Sequence, residues 1–228
     1  MKKVEGILYS DNSRVSIEIG NGIIQKVSKI KNFDNEASAG QYIAPALFDN
    51  QVNGYVDIEF SKPDLSVDDM LRVVREHHKN GVISFMPTVI TGSFESLSKS
   101  FANLAKSLQN AEVAYSVPGF HLERLYISTV KGFYGAHGLE DVRKPDWNEF
   151  QKLNETADGK IIQVTLAPEV EGAIEFIKKC VKNNIVVSLG HHNGNAEDIE
   201  RAADAGAKTV THIGNGMANN INRFENPL

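Results

Sequence analysis

The sequence predicts an α/β protein, most of it an incomplete (β/α)8 barrel of about six βα units, with a short N-terminal β segment in front. Three observations predict it. From residue 43 onward, apolar β-branched runs alternate with amphipathic helical stretches, the pattern of a parallel sheet covered by helices. Residues able to do chemistry stand at the ends of those runs, where parallel α/β folds gather function. Before residue 43 the pattern is one of short alternating strands with an Asn21-Gly22 hairpin turn. The expected division is 1–42 and 43–228.

The elements follow in order. "KVEGILYS" and "RVSIEIGNGIIQKVSKI" read as strands, and "KNFDNEASAGQ" as a polar connector. The six apolar runs are "YIAPALFDNQV", "GVISFMPTVI", "YSVPGFHLE", "IIQVTLAPE", "IVVSLGHH" and "TVTHIGNG". Ser66 to Asn80 opens with Ser66 and Asp69 in capping-box spacing. Ser93 to Gln109 places Phe94, Leu97, Phe101, Leu104 and Leu108 at helical period. Asp146 to Thr156 presents Trp147, Phe150 and Leu153, and Glu171 to Asn184 presents Ile174, Ile177 and Val181. Asn195 to Ala205 completes the set. Six strands cannot close an eight-stranded barrel, so the alternatives are an open sheet or a part of a longer protein.

The 228 residues are 41 % hydrophobic and 23 % charged, a globular composition long enough for a substantial core. The formal charge of -5 argues against nucleic acid or an anionic membrane as partner. Cys180 is the single cysteine, so no intramolecular disulfide forms, and core packing is its expected role. No run reaches the roughly 20 apolar residues of a spanning helix, and a cytoplasmic protein is expected.

Glu123, His191 and His212 each stand at the end of a different apolar run. One carboxylate and two imidazoles suit Zn²⁺ with a position left for water, and also Fe²⁺. Such an ion lowers the pKa of water and polarises a carbonyl, which serves hydrolysis. Hydrogen-bonded strand-end polar residues are the alternative reading. Adjacent strand side chains point oppositely, so only one of His191 and His192 can be a ligand. His77 and His78, near a helix C-terminus, are expected at the surface.

These stretches resemble the N-acetylglucosamine-6-phosphate deacetylase family of the amidohydrolase superfamily. "APALFDNQVNGYVDIEF" and "GVISFMPTVITGS" are similar to its first two barrel strands and their loops. "GFHLERLYIS" resembles the HLEGP motif, "KGFYGAH" the KGAH-type loop, and "VTLAPE" the fourth strand. "VVSLGHHNGNAEDI" resembles the GHSNA-type segment and "VTHIGNGM" the THLYNAM-type segment. The order is correct from about Ile43 to Leu228.

The resemblance implies a TIM-type metal-dependent hydrolase barrel and a small β-sandwich domain to which residues 1–42 belong. It makes Glu123, His191 and His212 the ligands of one divalent ion, zinc or iron, and it favours His191, after Gly190, over His192. Ala136, His137, Asn215 and Gly216 become substrate contacts, and Arg223 a phosphate-binding arginine whose guanidinium fork fits the dianion. The implied reaction removes the N-acetyl group from N-acetylglucosamine 6-phosphate or a similar amino-sugar phosphate.

Three departures stand out. Gln51 and Asn53 occupy the His-x-His positions of many amidohydrolases, so a single ion is expected. Arg124-Leu125 replaces a Gly-Pro turn, which leaves the substrate open. The aspartate that moves the proton between water and amine belongs beyond Leu228, so the chain is expected to be a truncated product, inactive alone. The alternatives are another amidohydrolase, acting on a cyclic amide or acylated amine, and a non-catalytic scaffold. A broken barrel edge favours pairing into a homodimer.

Overall fold

The computed structural model describes residues 1–90, 92–135, 138–222 and 226. Two compact units divide the chain, Met1–Ala46 and Leu47–Leu228. In the first, strands β1 (Lys2–Leu8), β2 (Arg14–Gly20), β3 (Ile23–Lys29) and β4 (Tyr42–Ile43) form a sheet of order β3-β2-β1-β4. The first three are an antiparallel meander and β4 runs parallel to β1. Asn21 and Gly22 take φ of 53° and 76°, the positive values that a tight two-residue hairpin requires. The apolar run that starts at Tyr42 is thus divided between the units: its first residues pair with β1.

The second unit begins with β5 (Leu47–Val52) and a small hairpin, β6 (Gly54–Tyr55) and β7 (Ile58–Glu59). Then come α1 (Val67–Lys79), β8 (Val82–Val89), α2 (Phe94–Ser107), α3 (Ala111–Ser116), β9 (Phe120–Tyr126) and α4 (Trp147–Thr156). The unit continues through β10 (Ile161–Leu166), α5 (Ala173–Lys182), β11 (Val186–Leu189), α6 (Ala196–Asp204) and β12 (Thr209–Val210). The six long-range strands form one curled half-barrel sheet, β12-β11-β10-β9-β8-β5, parallel throughout.

Local chemistry starts the helices. The Ser66 hydroxyl accepts from Asp69 N–H while Asp69 accepts from Ser66 N–H, the expected capping box. Asn195 and Asp198 build the same device at α6, and Asp146 caps α4. The stretch from Ala111 to Ser116, not expected as a helix, is capped by Asn110 and shortens the third apolar run to Phe120 onward.

Two expectations are corrected. Helix α5 buries Ala173, Phe176, Ile177 and Cys180, while Val181 is 39 % exposed. Phe176 brings the larger apolar surface, so it sets which stripe faces the core. His77 is buried, not at the surface. Its ring stacks on Phe85 at 4.2 Å and 10°, and its Nδ1–H donates to the Val73 carbonyl. The core thus accepts His77 as an aromatic disc with its polar edge satisfied inside its own helix. Cys180 is buried, and burial pushes its thiol up to about 12, as core packing requires.

The strands read as apolar on both faces, but one face is polar. Thr88, His121, Gln163, Thr165, Ser188 and Thr211 are all buried and hydrogen-bonded to one another across successive strands. Phe120, Leu122, Val164, Leu166, Val187 and Leu189, from the alternate positions, join the main hydrophobic cluster. The resulting floor of hydroxyls and amides lies on the face that also carries Glu123, two residues beyond His121.

The β6–β7 turn holds Val56 and Asp57 at φ of 50° and 66°. A side chain in that region costs about 1–2 kcal/mol. Replacing the exposed Asp57 with glycine is therefore expected to stabilise the unit by about 0.5–1 kcal/mol; an unchanged or lower urea midpoint would contradict this. Among the described residues no helix is long and apolar enough to cross a membrane.

Candidate metal centre

Glu123 sits in β9 and is fully buried. His191 follows β11 by one glycine, and His212 follows β12 by one threonine. Both histidines adopt left-handed backbone, φ 51° and 53°. Such conformations cost energy in non-glycine residues and cluster at functional sites. Gly190 has its own reason: a Cβ there would stand 2.8 Å from the Thr211 Cβ and 3.0 Å from a Thr165 methyl. The glycine lets β11 approach the neighbouring strands just before it delivers His191.

The three side chains meet. His212 Nε2 lies 3.1 Å from Glu123 Oε1, and His191 Nε2 lies 3.6 Å from the same oxygen. The imidazole rings are 5.2 Å apart and nearly perpendicular. One potential ligand atom from each residue falls within 4.8 Å of the others, so this set could hold a metal ion. The donor set fits a divalent first-row ion: two nitrogens and one carboxylate oxygen, with His212 one-third exposed and thus an open side for water or substrate. His191 Nδ1–H donates to the Phe133 carbonyl at 3.1 Å, so Nε2, which faces Glu123, is the nitrogen that could serve as a ligand.

Two participants were not visible as such in the sequence. The Phe133 carbonyl is one; a backbone acceptor leaves no side-chain signature. The other is Gln51, whose amide nitrogen lies 3.3 Å from His212 Nε2. Its place in the sequence pattern does not indicate that it meets His212, 161 residues away.

The remaining expected site residues fall as follows. Asn215 and Gly216 continue from His212 in a tight turn, both N–H groups donating to the His212 carbonyl. Gly216 also lines a cavity of about 300 Å³ beside His191 and His212. Ala136, His137 and Arg223 lie outside the described residues. His192 does not join the cluster of ligand atoms; burial is the main cause that holds its imidazole below the ordinary range. Where the family motif has Gly-Pro, β9 continues through Arg124 and Leu125 to Tyr126, with an irregularity in its pairing to β10.

Phe133 also lines a cleft of about 460 Å³, together with Asn193, Asn195, Asn220, Ile221, Asn222 and Asn226. Amide side chains both donate and accept hydrogen bonds without carrying charge.

Comparison with known proteins places the centre in context. No family model matches the chain. It is 30 % identical over 203 residues to the N-acetylgalactosamine-6-phosphate deacetylase of Escherichia coli O157:H7, a match covering 88 % of this chain and 52 % of that protein. It is 27 % identical to the N-acetylglucosamine-6-phosphate deacetylase of Vibrio furnissii, covering 84 % of this chain and 48 % of that one. The crystal structure of the Mycobacterium smegmatis N-acetyl-D-glucosamine-6-phosphate deacetylase superposes with a TM-score of 0.83 at 25 % identity, over 99 % of this chain and 59 % of that one. A mutant of that enzyme in complex with N-acetyl-D-glucosamine-6-phosphate gives a TM-score of 0.80 at 26 % identity, over 93 % of this chain and 54 % of that one. The chain spans about half the length of the curated relatives it matches.

Proposed function

From the premise that this chain is a relative of the N-acetylglucosamine-6-phosphate deacetylases, we propose that it carries the metal centre and part of the substrate pocket of a metal-dependent amide hydrolase. The substrate is N-acetylglucosamine 6-phosphate or a similar amino-sugar phosphate. The convergence of Glu123, His191 and His212 from three separate strand ends is the observation that carries this reading.

These three residues hold one divalent ion, zinc first and iron as the alternative. Such an ion supplies a Lewis acid for the acetamide carbonyl and a water of lowered pKa. The chain's own residues do the rest of the positioning. Glu123 brings negative charge into a buried place, and the Phe133 carbonyl orients His191. Gln51, an amide where a second-ion site would place histidine, supports a single ion. The asparagine-lined cleft suits a ligand rich in hydroxyl groups. Asn215 and Gly216 contact the substrate beside the ion, Ala136 and His137 contact it from the loop after β9, and Arg223 takes the phosphate.

The reaction also needs a group that carries a proton from water to the leaving amine. The resemblance assigns that role to none of these 228 residues. The chain by itself is therefore expected to bind one equivalent of zinc or iron without turnover. Metal analysis after dialysis, with deacetylation assays on both N-acetylhexosamine 6-phosphates and a panel of cyclic amides, tests this. Absence of stoichiometric metal would favour a scaffold, and turnover of a cyclic amide the other amidohydrolase reading. That second reading draws on β9 continuing through Arg124-Leu125.

We also infer a cytoplasmic setting, which a single buried thiol suits. Pairing of two copies is supported by the apolar residues exposed on the edge strands, Leu47 and Phe48 on β5 and Val210 on β12. Sedimentation equilibrium checks it.

A further inference from the structure

The loop that follows β9 touches both histidine-bearing segments. Ser128 N–H donates to the His191 carbonyl at 3.0 Å, and the Phe133 carbonyl accepts from His191 Nδ1. Between them, Phe133 N–H closes a turn onto the Val130 carbonyl at 3.1 Å. Gly132 occupies the third position of that turn at φ 95°, where a β-carbon is strained. It also has no room for one: a Cβ on Gly132 would stand 2.6 Å from the Ala218 Cβ and 3.0 Å from the Ala218 Cα. Ala218 belongs to the segment that leaves His212. Phe133 itself is buried, so the turn cannot move without disturbing packing.

We propose that the Val130–Phe133 turn is a positioning device for the metal centre, and that Gly132 is its key residue. Gly132 supplies the backbone shape and the close approach to Ala218 that hold the Phe133 carbonyl on His191 Nδ1. That carbonyl fixes the His191 tautomer and ring plane and so aims Nε2 at the ion. Metal affinity thus depends on a residue that bears no ligand atom. This inference rests on the metal-centre reading above.

Zinc affinity of the 228-residue chain, measured by competition with a chromophoric chelator, tests it. Gly132→Ala is expected to weaken zinc binding about tenfold or more, the usual scale for losing a partner of a ligating histidine. Long-range ¹H–¹⁵N spectra of the metal-free protein give a second readout. His191 is expected to carry its proton on Nδ1 in the wild type and to share it between both nitrogens in the variant. Lys131→Ala, in the same turn, is expected to change neither.

Unchanged zinc affinity in Gly132→Ala overturns the proposal. So does weakened affinity with the His191 proton still wholly on Nδ1, because the loss then bypasses the carbonyl. If Gly132→Ala does not fold, Ala218→Leu crowds the same contact while leaving the turn's backbone residue natural, and the same two readouts decide. Failure of the wild-type chain to bind zinc at all would instead sink the metal-centre reading itself.

Discussion

Glu123→Gln is expected to abolish the stabilisation that zinc confers on this chain. Glu123 is fully buried, and its Oε1 is the atom that both histidines approach, at 3.1 and 3.6 Å. A glutamine has nearly the same shape but no charge to offer a dication. A ligand held at a thousand times its Kd raises the unfolding free energy by about 4 kcal/mol. For a unit of this size that corresponds to a rise of roughly 10 °C in Tm. The wild type is expected to show a shift of that order with zinc and Glu123→Gln close to none. The metal-free variant is expected to be no less stable than the metal-free wild type, because it buries an amide in place of a carboxylate. Equal zinc-induced shifts in the two proteins, read by calorimetry, would remove Glu123 from the centre.

Phe176→Ala is expected to cost about 3–5 kcal/mol, a large part of a typical domain's stability. The ring is 3 % exposed and forms the middle of an aromatic cluster, with centroids 4.9 Å from Tyr126, 5.6 Å from Phe150 and 5.7 Å from Trp147. All three contacts have edge-on geometry, which adds to the burial itself. Removing the ring leaves a cavity among rigid neighbours that cannot collapse to fill it. Val181→Ala, on the side of α5 that the sequence pattern put inward, is expected to change stability by no more than about 0.5 kcal/mol. Urea unfolding of the pair measures the rotational setting of the helix. Comparable losses would put the structural assignment of the α5 face in error.

That helix shows where sequence reading stops. The period of 3.6 was legible in residues 171–184, but two stripes satisfied it, one through Ile174 and Val181 and one through Ala173, Phe176 and Cys180. Only the surface against which α5 packs chooses between them. The strands behaved similarly. Runs such as "IIQVTL" were legible as buried strands, yet their alternation of polar and apolar residues took on meaning only when His121, Thr165 and Thr211 were seen bonded across neighbouring strands. Elements of purely local origin were read well: the Ser66–Asp69 cap and the Asn21-Gly22 turn each depend on residues within four positions of one another.

The candidate centre divides along the same line. That Glu123, His191 and His212 stand at strand ends follows from periodicity and from short motifs, and so the sequence alone named them as candidates. That they share one locus depends on six strands lying in order and curling, a property of no single segment. The tertiary structure also brought Gln51 to His212 across 161 residues of chain and set the Phe133 carbonyl on His191. Capping, turns and amphipathic stripes arise from neighbours in the chain and are written in local residue patterns. Ligand convergence and backbone acceptors arise from the way distant segments pack, where each residue's role is decided by partners that its own neighbourhood does not specify.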